Sequence, residues 1–281
     1  KLKYQFLQAY VTARATIYPT KIKRMQTHNL GYPRIGTQRQ LKKACEQYWA
    51  GKITLSELNQ AARSIRTDNW QSQLDAGIDL IPCNDFSLYD QVLDTSLMLG
   101  AIPQRYAPVL SKVKTNNETD LYFAMARGYQ KDGLDITAMK MTKWLDTNYH
   151  YIVPEFTANQ EFKLFSEKIF AEYNSAKQQL GDKAKPVIIG PVSYLILGKG
   201  KEEGFDRIDL IKKIVPVYIE IIRRLKLLGA QWIQVDEPCL ALDLSEKEKE
   251  AFEYAYQAIN KQVTGLNLLV ATYFDALLEN T

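Results

Sequence analysis

Arg39 and Lys42 stand three residues apart just after Gly36, in the run Thr37-Gln-Arg-Gln40-Leu-Lys42. Thr37 and Gln40 fit a capping box, with the hydroxyl on the N3 amide and the Gln40 side chain returning to the Thr37 amide. The pattern predicts a helix that starts at Thr37 and carries Arg39 and Lys42 on one face of its first turn. Two cations added to the positive end of a helix dipole make a terminus suited to carboxylates. A second cluster is Asp236 with Glu237, in Gln234-Val-Asp-Glu-Pro238. Adjacent strand residues point to opposite sides, so one carboxylate is expected at the mouth of a sheet and the other in its helix layer.

Other chemistries fit poorly. Gly190-Pro191 and Gly198-Lys-Gly200 read as turns, because neither belongs to a phosphate-loop or dinucleotide fingerprint. His28 and His150 are the only histidines, and neither lies near Cys45, Cys83 or Cys239. A zinc site wants three or four convergent ligands, so no metal is expected in this chain. Three well-separated cysteines in no Cys-x-x-Cys pair argue for reduced thiols and a cytoplasmic setting.

The positioning elements follow from periodicity. Short β-branched or apolar runs at 30–34, 78–83, 121–127, 147–151, 186–190, 232–236 and 268–273 read as strands. They alternate with amphipathic stretches at 39–49, 55–70, 162–180, 210–228 and 246–261. Within 210–228, Ile211, Ile214, Val215, Tyr218, Ile221, Ile222 and Leu225 recur at helical spacing. Alternation of this kind is the mark of βα units and a parallel sheet, an α/β fold.

The net charge of +4 is uneven: the first 24 residues hold six basic side chains and no acid, which leaves −2 over the rest. No broad basic face of the nucleic-acid-binding kind is therefore expected. No apolar run approaches the roughly 20 residues that span a bilayer, so a membrane partner is not expected either. Met25 reads as a natural start, which makes 1–24 a leader, tag or upstream segment and 25–281 the folded domain.

The ordered set Gly31-Tyr-Pro-Arg-Ile-Gly36, Trp49-Ala-Gly-Lys52, Gly77-Ile-Asp-Leu-Ile-Pro82, Asp85-Phe-Ser-Leu-Tyr89, Met141-Thr-Lys-Trp144, Asn148-Tyr-His-Tyr151, Ile189-Gly-Pro191, Gln234-Val-Asp-Glu-Pro238 and Ala271-Thr-Tyr-Phe274 resembles cobalamin-independent methionine synthase. The resemblance implies the N-terminal barrel of a two-barrel enzyme that moves a methyl group from 5-methyltetrahydropteroyltriglutamate to homocysteine. It implies a (β/α)8 TIM-type barrel, and the seven strands counted above make it incomplete, cut before its last βα unit.

The resemblance also places the glutamate tail of the folate on Arg39, Gln40, Leu41 and Lys42, where Gln40 stands for the family's usual Glu. Lys143 is implied to reach the same tail, and a mobile ammonium suits a carboxylate that arrives in several poses. Asn148 is implied in folate contact, with His150 ordering the strand mouth beside it. No catalytic residue is expected here, and the zinc that activates homocysteine is implied in the second, C-terminal barrel. Two alternatives stay open: a non-catalytic polycarboxylate- or folate-binding module, and a barrel enzyme similar to uroporphyrinogen decarboxylase.

Overall fold

The computed structural model describes residues 25–112, 118–277 and 280. The leader reading of 1–24 lies outside the described residues. The strands are β1 (Ile81–Cys83), β2 (Tyr129–Lys131), β3 (Leu134–Ile136), β4 (Met141–Lys143), β5 (His150–Ile152), β6 (Glu155–Phe156), β7 (Ala184–Ile189), β8 (Lys199–Gly200), β9 (Trp232–Asp236) and β10 (Asn267–Ala271). The α-helices are α1 (Gln40–Trp49), α2 (Leu55–Asp75), α3 (Gln91–Met98), α4 (Ala107–Lys112), α5 (Glu118–Arg127), α6 (Lys168–Leu180), α7 (Pro191–Leu197), α8 (Ile211–Leu227) and α9 (Glu246–Gln262).

The chain is mixed α/β, built on a four-stranded parallel sheet in the order β1-β7-β9-β10. A single parallel bridge, His28 to Leu80, leads into it. Spatial order follows chain order, so each crossover lays the next strand beside the last. Every residue of β7 is buried, as expected where a parallel sheet is covered on both faces. The main core packs the sheet against α6, α8 and α9, and all seven predicted apolar positions of α8 are buried in it. A second core joins α1, α2, α3 and α5.

Local chemistry sets the helix ends. Thr54 and Glu57 cap α2 reciprocally: the Glu57 carboxylate accepts from Thr54 N at 2.7 Å and Thr54 Oγ1 accepts from Glu57 N at 3.3 Å. Ser245 and Glu248 do the same for α9, at 2.9 and 3.3 Å. Each box satisfies two amide donors that the first turn leaves without partners.

Several expectations need correction. Residues 121–127 are helical, in α5, and not a strand. All six residues from Leu121 to Ala126 are buried, so no polar face marks the helical period, and a short apolar run reads equally well as either element. Residues 30–34 form no strand: Pro33 has no N–H to give, and Tyr32 N donates to the Asp85 carboxylate at 2.8 Å. Residues 147–151 are mostly a hairpin tip, and β5 pairs antiparallel with β4 in place of joining the parallel sheet. The stretch 162–167 precedes α6 without being helical, because Lys163 N and Phe165 N donate to Leu99 O and Met98 O. Among the described residues a four-stranded parallel sheet, with β6 and β8 as a separate short parallel pair, therefore replaces the seven strands counted from the sequence.

Candidate functional site

The loop that follows β1, residues 84–90, is the hub on which the predicted site segments hang. Arg34 donates through Nη1 to Ser87 O at 3.0 Å and through Nη2 to Tyr89 O, which fixes the Gly31–Gly36 segment. Cys45 Sγ donates to Leu88 O at 3.6 Å and ties down α1. Asp90 accepts from Leu93 N at 2.8 Å, capping α3, and from Ile152 N at 3.0 Å, which docks the β4–β5 hairpin. Burial pushes the Asp90 carboxyl up to about 7 and that of Asp85 up to about 6, since neither loses its hydration cheaply.

The start of α1 differs from the predicted capping box. The N-cap is Arg39, in the left-handed region at φ 60, and no side chain caps the helix. Gly36 at φ 79 and the bond from Arg39 N to Gly36 O make a turn, and Gln40 Oε1 accepts from Gln38 N at 2.9 Å. Thr37 thus caps nothing, because the chain folds back one turn later than the pattern implies. Arg39, Gln40 and Lys42 are all exposed. Arg39 has no ion pair among the described residues, and Lys42 holds only a loose, solvated pair with Glu46 at 3.7 Å.

Leu41 is different in kind. Its side chain is 1 % exposed within the second core and its N–H donates to Ile35 O at 3.2 Å. Neither group is free for a ligand, so its part in the run is to seat the cations on either side. Leu41→Ala is expected to lower unfolding free energy by about 2–4 kcal/mol, the usual range for emptying a buried leucine. Urea denaturation checks it; a change below about 1 kcal/mol contradicts the core assignment.

Lys143 pairs in register with His150 across the hairpin, so both project from one face, and both are exposed. Trp144 N donates to Tyr149 O at 2.7 Å and Thr147 N to Trp144 O at 3.1 Å, closing a tip on which Asn148 is exposed. Trp144 and Tyr151, edge to face at 5.6 Å, anchor the base. The structure therefore ties to one loop, at the C-terminal end of β1, the residues that flank Arg39–Lys42, through Arg34 and Cys45, and the hairpin that carries Lys143 and Asn148, through Ile152. It shows no direct bond between them among the described residues.

The second cluster is internal. Lys185, without exposed surface, donates to Asn29 O at 2.8 Å and to Gln234 Oε1; Gln234 Nε2 donates to Leu30 O at 2.8 Å and Asp236 Oδ1 at 2.7 Å. Burial pushes Asp236 up to about 7 and Lys185 down to about 8. Glu237 points the other way and accepts from Ser193 N at 2.8 Å and Tyr256 OH at 2.9 Å. The two carboxylates do face opposite sides, yet Glu237 has no exposed surface and serves as an internal tie. The sequence reading missed this Lys185–Gln234–Asp236 row and the Asp90 tie. Asp90 ahead of Gln91-Val-Leu93 was a visible N-cap signal, whereas a lysine inside an apolar strand gave none. No three His, Cys, Asp or Glu among the described residues stand as metal ligands would, and Cys45, Cys83 and Cys239 are buried free thiols.

Comparison with known proteins bears on this arrangement. A Cytophaga hutchinsonii protein named 5-methyltetrahydropteroyltriglutamate–homocysteine methyltransferase is 59 % identical over 251 residues, covering 89 % of this chain and 32 % of that protein. Its Flavobacterium johnsoniae namesake is 59 % identical over 256 residues, covering 91 % and 33 %, and that of Nitrosomonas europaea is 50 % identical over 251, covering 89 % and 32 %. The chain thus spans about a third of the length of these relatives. A crystal structure from Listeria monocytogenes, titled a putative vitamin-B12 independent methionine synthase, shares the fold at a TM-score of 0.54 and 13 % identity, covering 88 % of this chain and 64 % of that one. The family described as "Cobalamin-independent synthase, N-terminal domain" matches residues 26–281, from just before the His28 bridge through β10, and the chain belongs to it.

Proposed function

We propose that this chain is the N-terminal, folate-tail-binding part of an enzyme that transfers the methyl group of 5-methyltetrahydropteroyltri-L-glutamate to L-homocysteine, forming L-methionine. What carries the reading is the placement of Arg39, Gln40, Lys42, Lys143 and Asn148 on two exposed segments pinned to one loop at the C-terminal end of β1. A poly-γ-glutamyl tail is a flexible row of carboxylates, and flexible, solvated cations match it better than one rigid pocket. Asn148 adds an amide that both donates and accepts. The domain is proposed to run from 25 to 281, in a cytoplasmic enzyme.

The parallel sheet is read as part of a (β/α)8 barrel. What supports this is strand order equal to chain order, the winding of a barrel; a doubly wound sheet reverses order at a switch point. Zinc, which would lower the pKa of the homocysteine thiol so that it binds as thiolate, is proposed to lie outside this chain, because His28 at a strand bridge and exposed His150 do not converge with the buried thiols.

The test uses the complete enzyme. Exposed charge pairs contribute about 0.2–1 kcal/mol each, so Lys42→Ala and Lys143→Ala should each raise the apparent KM for the triglutamate by roughly 1.5- to 5-fold, more at low salt. The monoglutamate, without the distal carboxylates, should respond far less. Equal losses on both substrates, or none on either, would remove these cations from the tail site.

A further inference from the structure

A cavity of about 260 Å³ lies between α2 and α6, with α5 at its edge and Phe86 and Leu88 on its wall. None of the residues assigned to the folate tail lines it. Its volume is below the roughly 300–1,000 Å³ of sites for drug-sized ligands, which sizes it for a metabolite of about ten non-hydrogen atoms.

The charges around it are unequally satisfied. Lys168 is fully engaged: it pairs with Asp94 at 3.1 Å and Glu172 at 3.3 Å and donates to Phe86 O at 3.0 Å. Arg66 is not. Its guanidinium lies 5.1 Å over the Phe86 ring, its Nε is buried without an acceptor, and it has no ion pair among the described residues. Arg63, one turn earlier on α2, has none either. A buried donor left without an acceptor costs about 1–3 kcal/mol, more for a charged group. Lys168 stands close enough to Arg66 for the two cations to repel, so a carboxylate set against Arg66 relieves both terms.

Glu118, from α5, has the opposite need. Its carboxylate accepts from Ser166 Oγ at 2.5 Å but has no cation partner among the described residues. Ala62, Leu88, Leu97 and the Tyr122 ring give the lining an apolar part beside these charges. The occupant that answers all three features carries one carboxylate, one ammonium and an apolar body.

We infer that this cavity is a binding site for a small zwitterionic amino acid with an apolar body, its carboxylate on Arg66 and Arg63 and its ammonium on Glu118. The site is separate from the tail-binding segments and independent of the reading given for them. Occupancy ties α2 to α5 across the second core, so ligand binding is expected to stabilise the domain by mass action.

Calorimetric titration of the 281-residue chain tests the inference with L-leucine, L-methionine and 6-aminohexanoate, against the singly charged hexanoate and hexylamine. At least one zwitterion should saturate, with the singly charged compounds about tenfold or more weaker, because a charge-assisted hydrogen bond contributes about 1.5–3 kcal/mol. Preference for the α-amino acids over 6-aminohexanoate, or the reverse, reads the spacing of the two charged walls. Arg66→Gln and Glu118→Gln should each weaken binding by about tenfold, with unchanged circular dichroism. Should Arg66→Gln unfold through loss of its stack on Phe86, Glu118→Gln and Arg63→Gln decide. No saturation by about 10 mM of any zwitterion, equal binding of hexanoate, or binding that survives Glu118→Gln overturns the inference.

Discussion

Gly190→Ala is expected to be among the most damaging single substitutions in this chain, although alanine is the smallest side chain that can be added. The backbone there is ordinary, φ −70 and ψ 155, so strain is not the reason. The added Cβ would lie 2.0 Å from Glu237 Oε1 and 2.6 Å from its Cγ. Glu237 cannot swing aside, since it is fully buried and held by Ser193 N and Tyr256 OH. Either β7 and β9 part at the Gly190 N to Asp236 O bond, or Glu237 leaves two buried donors without an acceptor. Overpacking costs about 1–3 kcal/mol and an orphaned buried polar group about 1–3 more, so a total near 4 kcal/mol is expected. In a domain of this size that lowers Tm by roughly 8–16 °C. A double-mutant cycle with Glu237→Ala tests the cause, because removing the obstructing side chain should make the alanine nearly neutral. A Gly190→Ala protein that melts with the wild type contradicts the packing described.

How much of this was legible in the sequence depends on the element. The strand predicted at 232–236 coincides with β9, and every residue of the predicted α8 face is buried, because each has a periodic or β-branched signal of sufficient length. Residues 121–127 failed for the converse reason: Leu121 to Ala126 are all buried, so this stretch has no polar face from which a period can be read. The cations of α1 could be named from spacing and resemblance, but the left-handed turn at Arg39 that aims them could not, since a non-glycine residue at positive φ leaves no compositional mark. Nor could the sequence show that Leu41 faces inward while its neighbours face out, until the helix start was known. The hub itself was missed because its bonds run mostly through backbone groups of 84–90, which any residue type carries.

Unfolding free energy should fall as pH rises from about 4.5 to about 7, and Glu237→Gln should remove a distinct share of that fall. Burial pushes the Glu237 carboxyl up to about 7 from an ordinary 4.5, since no cation compensates the loss of water. The folded state then holds a proton that the unfolded chain has released. A group raised in this way gives stability that is full below its unfolded pKa and is lost as pH rises through its folded one. For Glu237 the window is about 4.5 to 7, and the displacement corresponds to at most about 3 kcal/mol. Its neighbours do not confuse the measurement: burial holds Tyr256, Tyr218 and Cys239 protonated well beyond this range. Asp90 and Asp236 contribute in the same direction, while Asp206 and Glu155, held low by lysine and arginine partners, lose stability only as pH falls below their ordinary values, under this window. Comparing wild type with Glu237→Gln cancels all of these. Glutamine keeps the volume and still bonds Ser193 N and the Tyr256 hydroxyl, so the variant should match wild type near pH 4 and be more stable at pH 8, by up to about 3 kcal/mol in urea unfolding. Parallel pH profiles for the two proteins would mean that Glu237 stays ionised inside the fold and that its bonds from Ser193 and Tyr256 offset the whole cost of burying the charge.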